Sequence, residues 1–209
     1  MKNFFLIIFL IAFQFEFQAQ TVSYVWNLKG TELKEKPLID SKTVEKFEFA
    51  SKLEFEVLES DKIEGFLSEQ DFFKFKGVWL YVNYKDKNGY IFSGHLSRKT
   101  PPVTEDNGVK ILDLKAIFGK KIKEISLSDT TSIDSVNYRT ETEITEYEHG
   151  KYSNVFMDGC FNHTYTFYEI SEFEAYNLAL SIYWFADAVM EVTITKTEEG
   201  WTIKSYDCT

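Results

Sequence analysis

The stretch Gly77–Ser97, GVWLYVNYKDKNGYIFSGHLS, constrains this chain more than any other. Alternation over Val78–Tyr84 puts Leu80, Val82 and Tyr84 on one face of a strand, and Trp79, Tyr81 and Asn83 on the other. Asp86, Lys87, Asn88 and Gly89 supply turn chemistry, because Asn and Gly tolerate positive φ. On the return strand Ile91 points one way, and Tyr90 and Phe92 the other. The expected hairpin has an aliphatic, core-like face and an aromatic face of Trp79, Tyr81, Tyr90 and Phe92. That aromatic face either packs against a neighbouring element or opens as a ligand groove. Under the second reading these four residues are the candidate ligand-binding set.

The same residues carry a resemblance. Trp79-Leu80-Tyr81-Val82, Gly89-Tyr90-Ile91 and Ser93-Gly94-His95-Leu96 are similar to the closing half of bacterial SH3-like domains. Leu33-Lys34-Glu35-Lys36-Pro37 resembles the opening segment of that family. Ser41–Val44 and Ser51–Leu58 resemble its next two strands. The likeness covers Val22 to about Lys99, with an insertion at Glu59–Lys76 and lysines where the family carries arginine and glycine. It implies an SH3-like β-barrel that binds cell-wall peptide or a protein partner.

The chain opens with Met1-Lys2-Asn3 and an apolar run, Phe4–Phe13, of ten residues. A span needs ~20 such residues, so the run reads as a secretory signal peptide over 1–19, cut after Ala19. The expected location is outside the cytoplasm, periplasmic or extracellular. Cys160 and Cys208 are then expected to form a disulfide, the ordinary fate of an even cysteine count in an oxidising compartment.

Charge divides the chain. Residues 20–102 carry 13 basic and 13 acidic residues, while residues 103–209 carry 9 and 19, a net −10. This balance argues against nucleic acid, whose phosphates require clustered Lys and Arg, and against an anionic membrane surface after signal cleavage. It supports two units: an SH3-like barrel over 20–100 with its insertion at 59–76, and an α+β domain over 109–209. The proline pair Pro101-Pro102 and the polar residues to Gly108 read as a linker over 101–108. The insertion reads as a short helix over Ser68–Phe75 or as a long hairpin tip, with Phe66, Leu67, Phe72, Phe73 and Phe75 in need of packing.

The second unit is expected to be an antiparallel sheet with one main helix, making the whole chain mainly β with an α+β portion. Strands are expected at Ile133–Arg139, Glu141–Glu148, Tyr152–Met157, Cys160–Ile170, Val189–Thr195 and Trp201–Tyr206. Ser171-Glu172-Phe173-Glu174 is a capping box opening a helix from Glu172 to about Phe185. Its apolar residues run almost all round, so it is expected to be buried on more than one side.

No catalytic constellation emerges. Cys160 and His163 are three apart, which on a strand places them on opposite faces, badly for a thiol and its base. No structural zinc spacing or calcium loop occurs, and Glu141 and Glu143 face away from Glu146 and Glu148. No metal and no cofactor is expected. The sequence leaves two function classes: a non-enzymatic binding module for cell-wall peptide or a protein partner, and an acidic inhibitor or immunity-type protein covering a basic enzyme.

Overall fold

The structure is a computed structural model describing residues 20–70, 73–133, 136–184 and 191–208. The expected signal peptide, 1–19, lies outside the described residues, as do the side chains of Phe66, Leu67, Phe72, Phe73 and Phe75.

Seven antiparallel strands form the first sheet: β1 (Thr21–Val25), β2 (Thr31–Lys34), β3 (Thr43–Phe47), β4 (Lys52–Gln70), β5 (Phe73–Tyr84), β6 (Lys87–Phe92) and β7 (Leu96–Ser97). Their order is β3-β2-β6-β5-β4-β1-β7. Inward residues from all seven meet in one cluster: Val25, Leu33, Phe47, Leu53, Phe55, Val82, Ile91 and Leu96. A flat sheet of this size is ~29 Å across, at the usual strand spacing. A shared core therefore requires strong curling. The turn after β3 completes the curl, with Ala50 N–H donating to Val25 O at 2.9 Å and Val25 N–H donating to Ser51 O at 3.0 Å.

The expected closed barrel is corrected. No closed barrel is found among the described residues, and the strand order ends at β3 and β7. Beyond β3 the chain turns through Ala50 and Ser51, which bond to Val25, and runs on as β4 beside β1. The insertion resolves as the hairpin alternative, since β4 and β5 run on as one long antiparallel pair from Glu56↔Asn83 to Gln70↔Phe73.

The stretch expected as a linker, 101–108, carries regular structure. Val103–Asp106 (β8) and Val109–Leu112 (β9) form a two-stranded hairpin. Its centre is Asn107-Gly108, at φ 49° and 77°, the left-handed pair that tight hairpins favour. A one-turn helix, α1 (Leu114–Phe118), follows, capped where Asp113 Oδ1 accepts from Ala116 N–H at 3.1 Å.

The second sheet has six antiparallel strands in the order β10-β11-β12-β13-β15-β14. They are β10 (Lys121–Ile133), β11 (Val136–Tyr147), β12 (Gly150–Met157), β13 (Cys160–Phe167), β14 (Glu191–Lys196) and β15 (Trp201–Cys208). Two sequence boundaries move. The expected strand Ile133–Arg139 takes in the last residue of β10 and the start of β11, and the basic residues Lys121 and Lys123 lie in β10. Ser and Thr on both faces of 128–132 hide the alternation there.

Helix α2 (Glu172–Ile182) lies between the two sheets. Its capping box forms as read: Ser171 Oγ accepts from Glu174 N–H at 3.2 Å, and Glu174 Oε2 accepts from Ser171 N–H at 2.8 Å. On one side Leu178 and Ala179 join Trp26, Phe167 and Ile203 in the core of the second sheet. On the other, Leu180 packs against Trp79 and Phe92 of the first. This is why the helix is apolar almost all round. Trp26, just past β1, crosses to the second core and donates from Nε1 to Lys99 O at 2.6 Å.

Candidate functional site

The strand register brings the four candidate residues together as two cross-strand pairs. Trp79 faces Phe92 and Tyr81 faces Tyr90, with ring centroids 5.3 Å and 4.9 Å apart. Gly77 makes room for this arrangement, because a Cβ there would sit 2.7 Å from Phe92 Cζ. Leu80 faces Ile91 on the opposite, core-directed face.

Helix α2 covers much of the aromatic face. Trp79 and Phe92 are buried against Leu180, with Tyr90, Tyr176 and Trp184 packed around them. The edge left uncovered opens into a cleft of about 200 Å³, lined by Lys29–Glu32, Lys34, Ile39, Trp79, Phe92 and His95. Of the four candidates, Trp79 and Phe92 line this cleft and Tyr81 and Tyr90 do not.

The cleft has an aromatic floor and a polar wall. His95, on the single 3-10 turn Ser93–His95, meets Thr31 Oγ1 through Nδ1 at 3.0 Å and lies edge-on to Phe92 at 5.1 Å. Lys34 is nearly buried, pairs with Glu32 and donates to Thr43 Oγ1 at 3.1 Å. Burial pushes the Glu32 carboxyl upward, but hydrogen bonds from Lys34, Lys46 and Thr43 outweigh it and hold the pKa down to about 2. At the rim Leu38 and Ile39 are both exposed, at 60% and 53%. Ile39 of the lining and its neighbour Leu38 put apolar surface at the edge of the cleft.

The sequence reading missed His95, Thr31, Lys34 and Ile39. His95 was visible within the Ser-Gly-His-Leu segment, but its partner Thr31 is 64 residues away.

The second half holds a separate polar cluster. Cys160 and Cys208 face each other across β13 and β15 and are bonded. His163 lies on the opposite face, where Nδ1 meets Tyr152 OH at 2.8 Å and Nε2 lies 3.6 Å from Asp207 Oδ1. Cys160 thus offers no thiol for His163 to activate. Burial pushes the Tyr183 phenol up to about 12 and raises Tyr152 and Tyr165 as well, so all three stay protonated at neutral pH, and Tyr152 is the one that meets the histidine.

No protein-family model, no curated protein and no solved structure matches this chain.

Proposed function

We propose that this is an exported, non-enzymatic binding protein, that its N-terminal sheet serves as an SH3-like domain, and that it takes a short extended peptide into the Trp79–Phe92 cleft. The peptide comes from the cell wall or from a protein partner. The observation that carries this reading is the cleft's composition: an aromatic floor, a hydroxyl–imidazole wall, a Lys34–Glu32 pair and an exposed Leu38–Ile39 rim. An apolar floor takes a side chain, while a few placed polar groups fix the orientation of a backbone. Export supports the wall as a source, and the disulfide is consistent with export.

The charge of the second half favours one other reading. A net −10 over residues 103–209 steers a basic protein towards that half, as an inhibitor or immunity-type partner would require.

Co-sedimentation of the mature protein with purified cell wall separates the two. The cleft reading expects native protein to sediment and Ile39→Asp, a change at an exposed position, to stay in solution with an unchanged melting curve. Equal sedimentation of both overturns it, and sedimentation of neither removes the cell wall as the source of the peptide. Capture of a basic protein at low salt, lost at high salt and indifferent to Ile39→Asp, supports the second reading instead.

A further inference from the structure

The inner face of the curled first sheet is filled at one end and open at the other. Where Val25, Leu53 and Val82 stop, the same inward parity continues as Phe55, Val57, Val78 and Leu80. These residues, with Leu96 and with Phe173 from α2, floor a groove of about 660 Å³. It stays open because Thr21, Ser23, Ser93 and Ser97 occupy lining positions where larger side chains would plug it. It is separate from the Trp79 cleft. Alternation sends Trp79 to one side of β5 and its neighbours Val78 and Leu80 to the other.

The rim carries a charge without a use inside the fold. The chain has two arginines. Arg139 pairs with Glu141 at 2.9 Å. Arg98 lines the groove, is exposed, and makes no ion pair or hydrogen bond among the described residues. Glu174 also lines the groove, but its carboxylate is already taken. Oε1 accepts from Ser97 Oγ, Oε2 accepts from Ser171 N–H at 2.8 Å, and Lys99 Nζ lies 4.0 Å away. Lys99 itself donates to Glu169 O. A guanidinium binds a carboxylate through two parallel hydrogen bonds, which makes it a head-group reader above an apolar floor.

We propose that this groove binds a fatty carboxylate, with the alkyl chain along Val57, Leu80 and Phe173 and the head group on Arg98. An alkyl chain suits this floor because β5, β4 and β1 have neighbours on both sides, so their backbone groups are already used in the ladders, and only the two-residue β7 ends the sheet. A groove of this size is in the range that holds a drug-sized ligand, and the mouths of curled sheets are common places for one. This inference is independent of the peptide reading.

Calorimetric titration with dodecanoate below its micelle threshold tests it, set beside dodecanol and dodecyltrimethylammonium. Native protein should bind dodecanoate at one site, about tenfold or more tighter than either of the others. Arg98→Gln should bring dodecanoate down to the level of dodecanol while its melting curve is unchanged. Arg139→Gln should bind like the native protein. Absence of dodecanoate binding overturns the proposal, as does equal binding of dodecanoate and dodecanol. An Arg139→Gln loss matching that of Arg98→Gln, or tighter binding of an apolar peptide with a free carboxyl terminus, overturns it too.

Discussion

Asn177 on α2 donates from Nδ2 to the carbonyl oxygen of Gly94 at 2.9 Å, across 83 residues of sequence. The same amide donates to Phe173 O at 2.7 Å, and the side chain is fully buried. One buried amide thus fastens the helix of the second half to the end of the hairpin in the first.

Asn177→Ala should therefore destabilise the whole molecule by about 1–3 kcal/mol, because it leaves the Gly94 carbonyl buried without this donor. The native protein should unfold in one transition, with tryptophan fluorescence and far-ultraviolet dichroism coincident. Two separated transitions in the native protein would show that the halves unfold independently and would remove the coupling assigned to Asn177.

Leu180→Ala should be costly, on the order of 2–5 kcal/mol, since it opens a cavity over Trp79 and Phe92. Tyr81→Ser should cost less, about 1 kcal/mol, because Tyr81 is only half-buried and lies outside that cluster. Urea midpoints of the two variants decide between a covered and an open aromatic face. A larger loss for Tyr81→Ser than for Leu180→Ala would contradict the packing described above.

Glu32 predicts a specific acid sensitivity. Its folded pKa, about 2, lies below its ordinary 4.5, so its stabilisation is fully present above about pH 4.5 and is lost as pH falls through 2. The full shift corresponds to ~3 kcal/mol. The side chain keeps 31% of its surface exposed, and solvent screening reduces the figure to on the order of 1 kcal/mol. Glu32→Gln should be less stable than native protein at neutral pH, with the gap narrowing from pH 4.5 downwards. A gap that stays constant across that range would mean the carboxylate charge is not what stabilises.

The Cys160–Cys208 bond closes a loop with a sequence separation of 48. Neither cysteine of freshly purified mature protein should react with a thiol label before denaturation and reduction. Replacing both by serine should lower stability by up to about 4 kcal/mol, an upper figure from chain entropy. Quantitative labelling of two thiols in the native protein would refute the bond.

What could be read from the residues was local. Alternation put Trp79, Tyr81, Tyr90 and Phe92 on one face and Leu80, Val82 and Ile91 on the other, because period two is unambiguous in a strand with one buried face, while the pairing itself came from the register. Ser171 and Glu174 announced the start of α2 three residues apart. The Asn107-Gly108 turn was equally local, but it was masked by the two prolines before it, which favoured a linker over the hairpin β8–β9. The β10–β11 boundary was lost among serines and threonines that present similar chemistry to both faces. The cleft and the cover over the aromatic face depend on Thr31 meeting His95 and Leu180 meeting Phe92. Such contacts between distant segments are set by topology, and no short-range pattern encodes them.

The position of α2 between two sheets has a consequence for the order of events in folding. A chain is made from its N-terminus, and the Trp79–Phe92 surface is complete about 90 residues before Leu180 exists to cover it. During that interval the first sheet presents two large rings to water, with nothing from α2 against them. The early half of the molecule is therefore a guest of the late half. Its final shape waits on a helix that emerges near the end, and a chain released before residue 180 would carry a sticky, unfinished sheet rather than a working module.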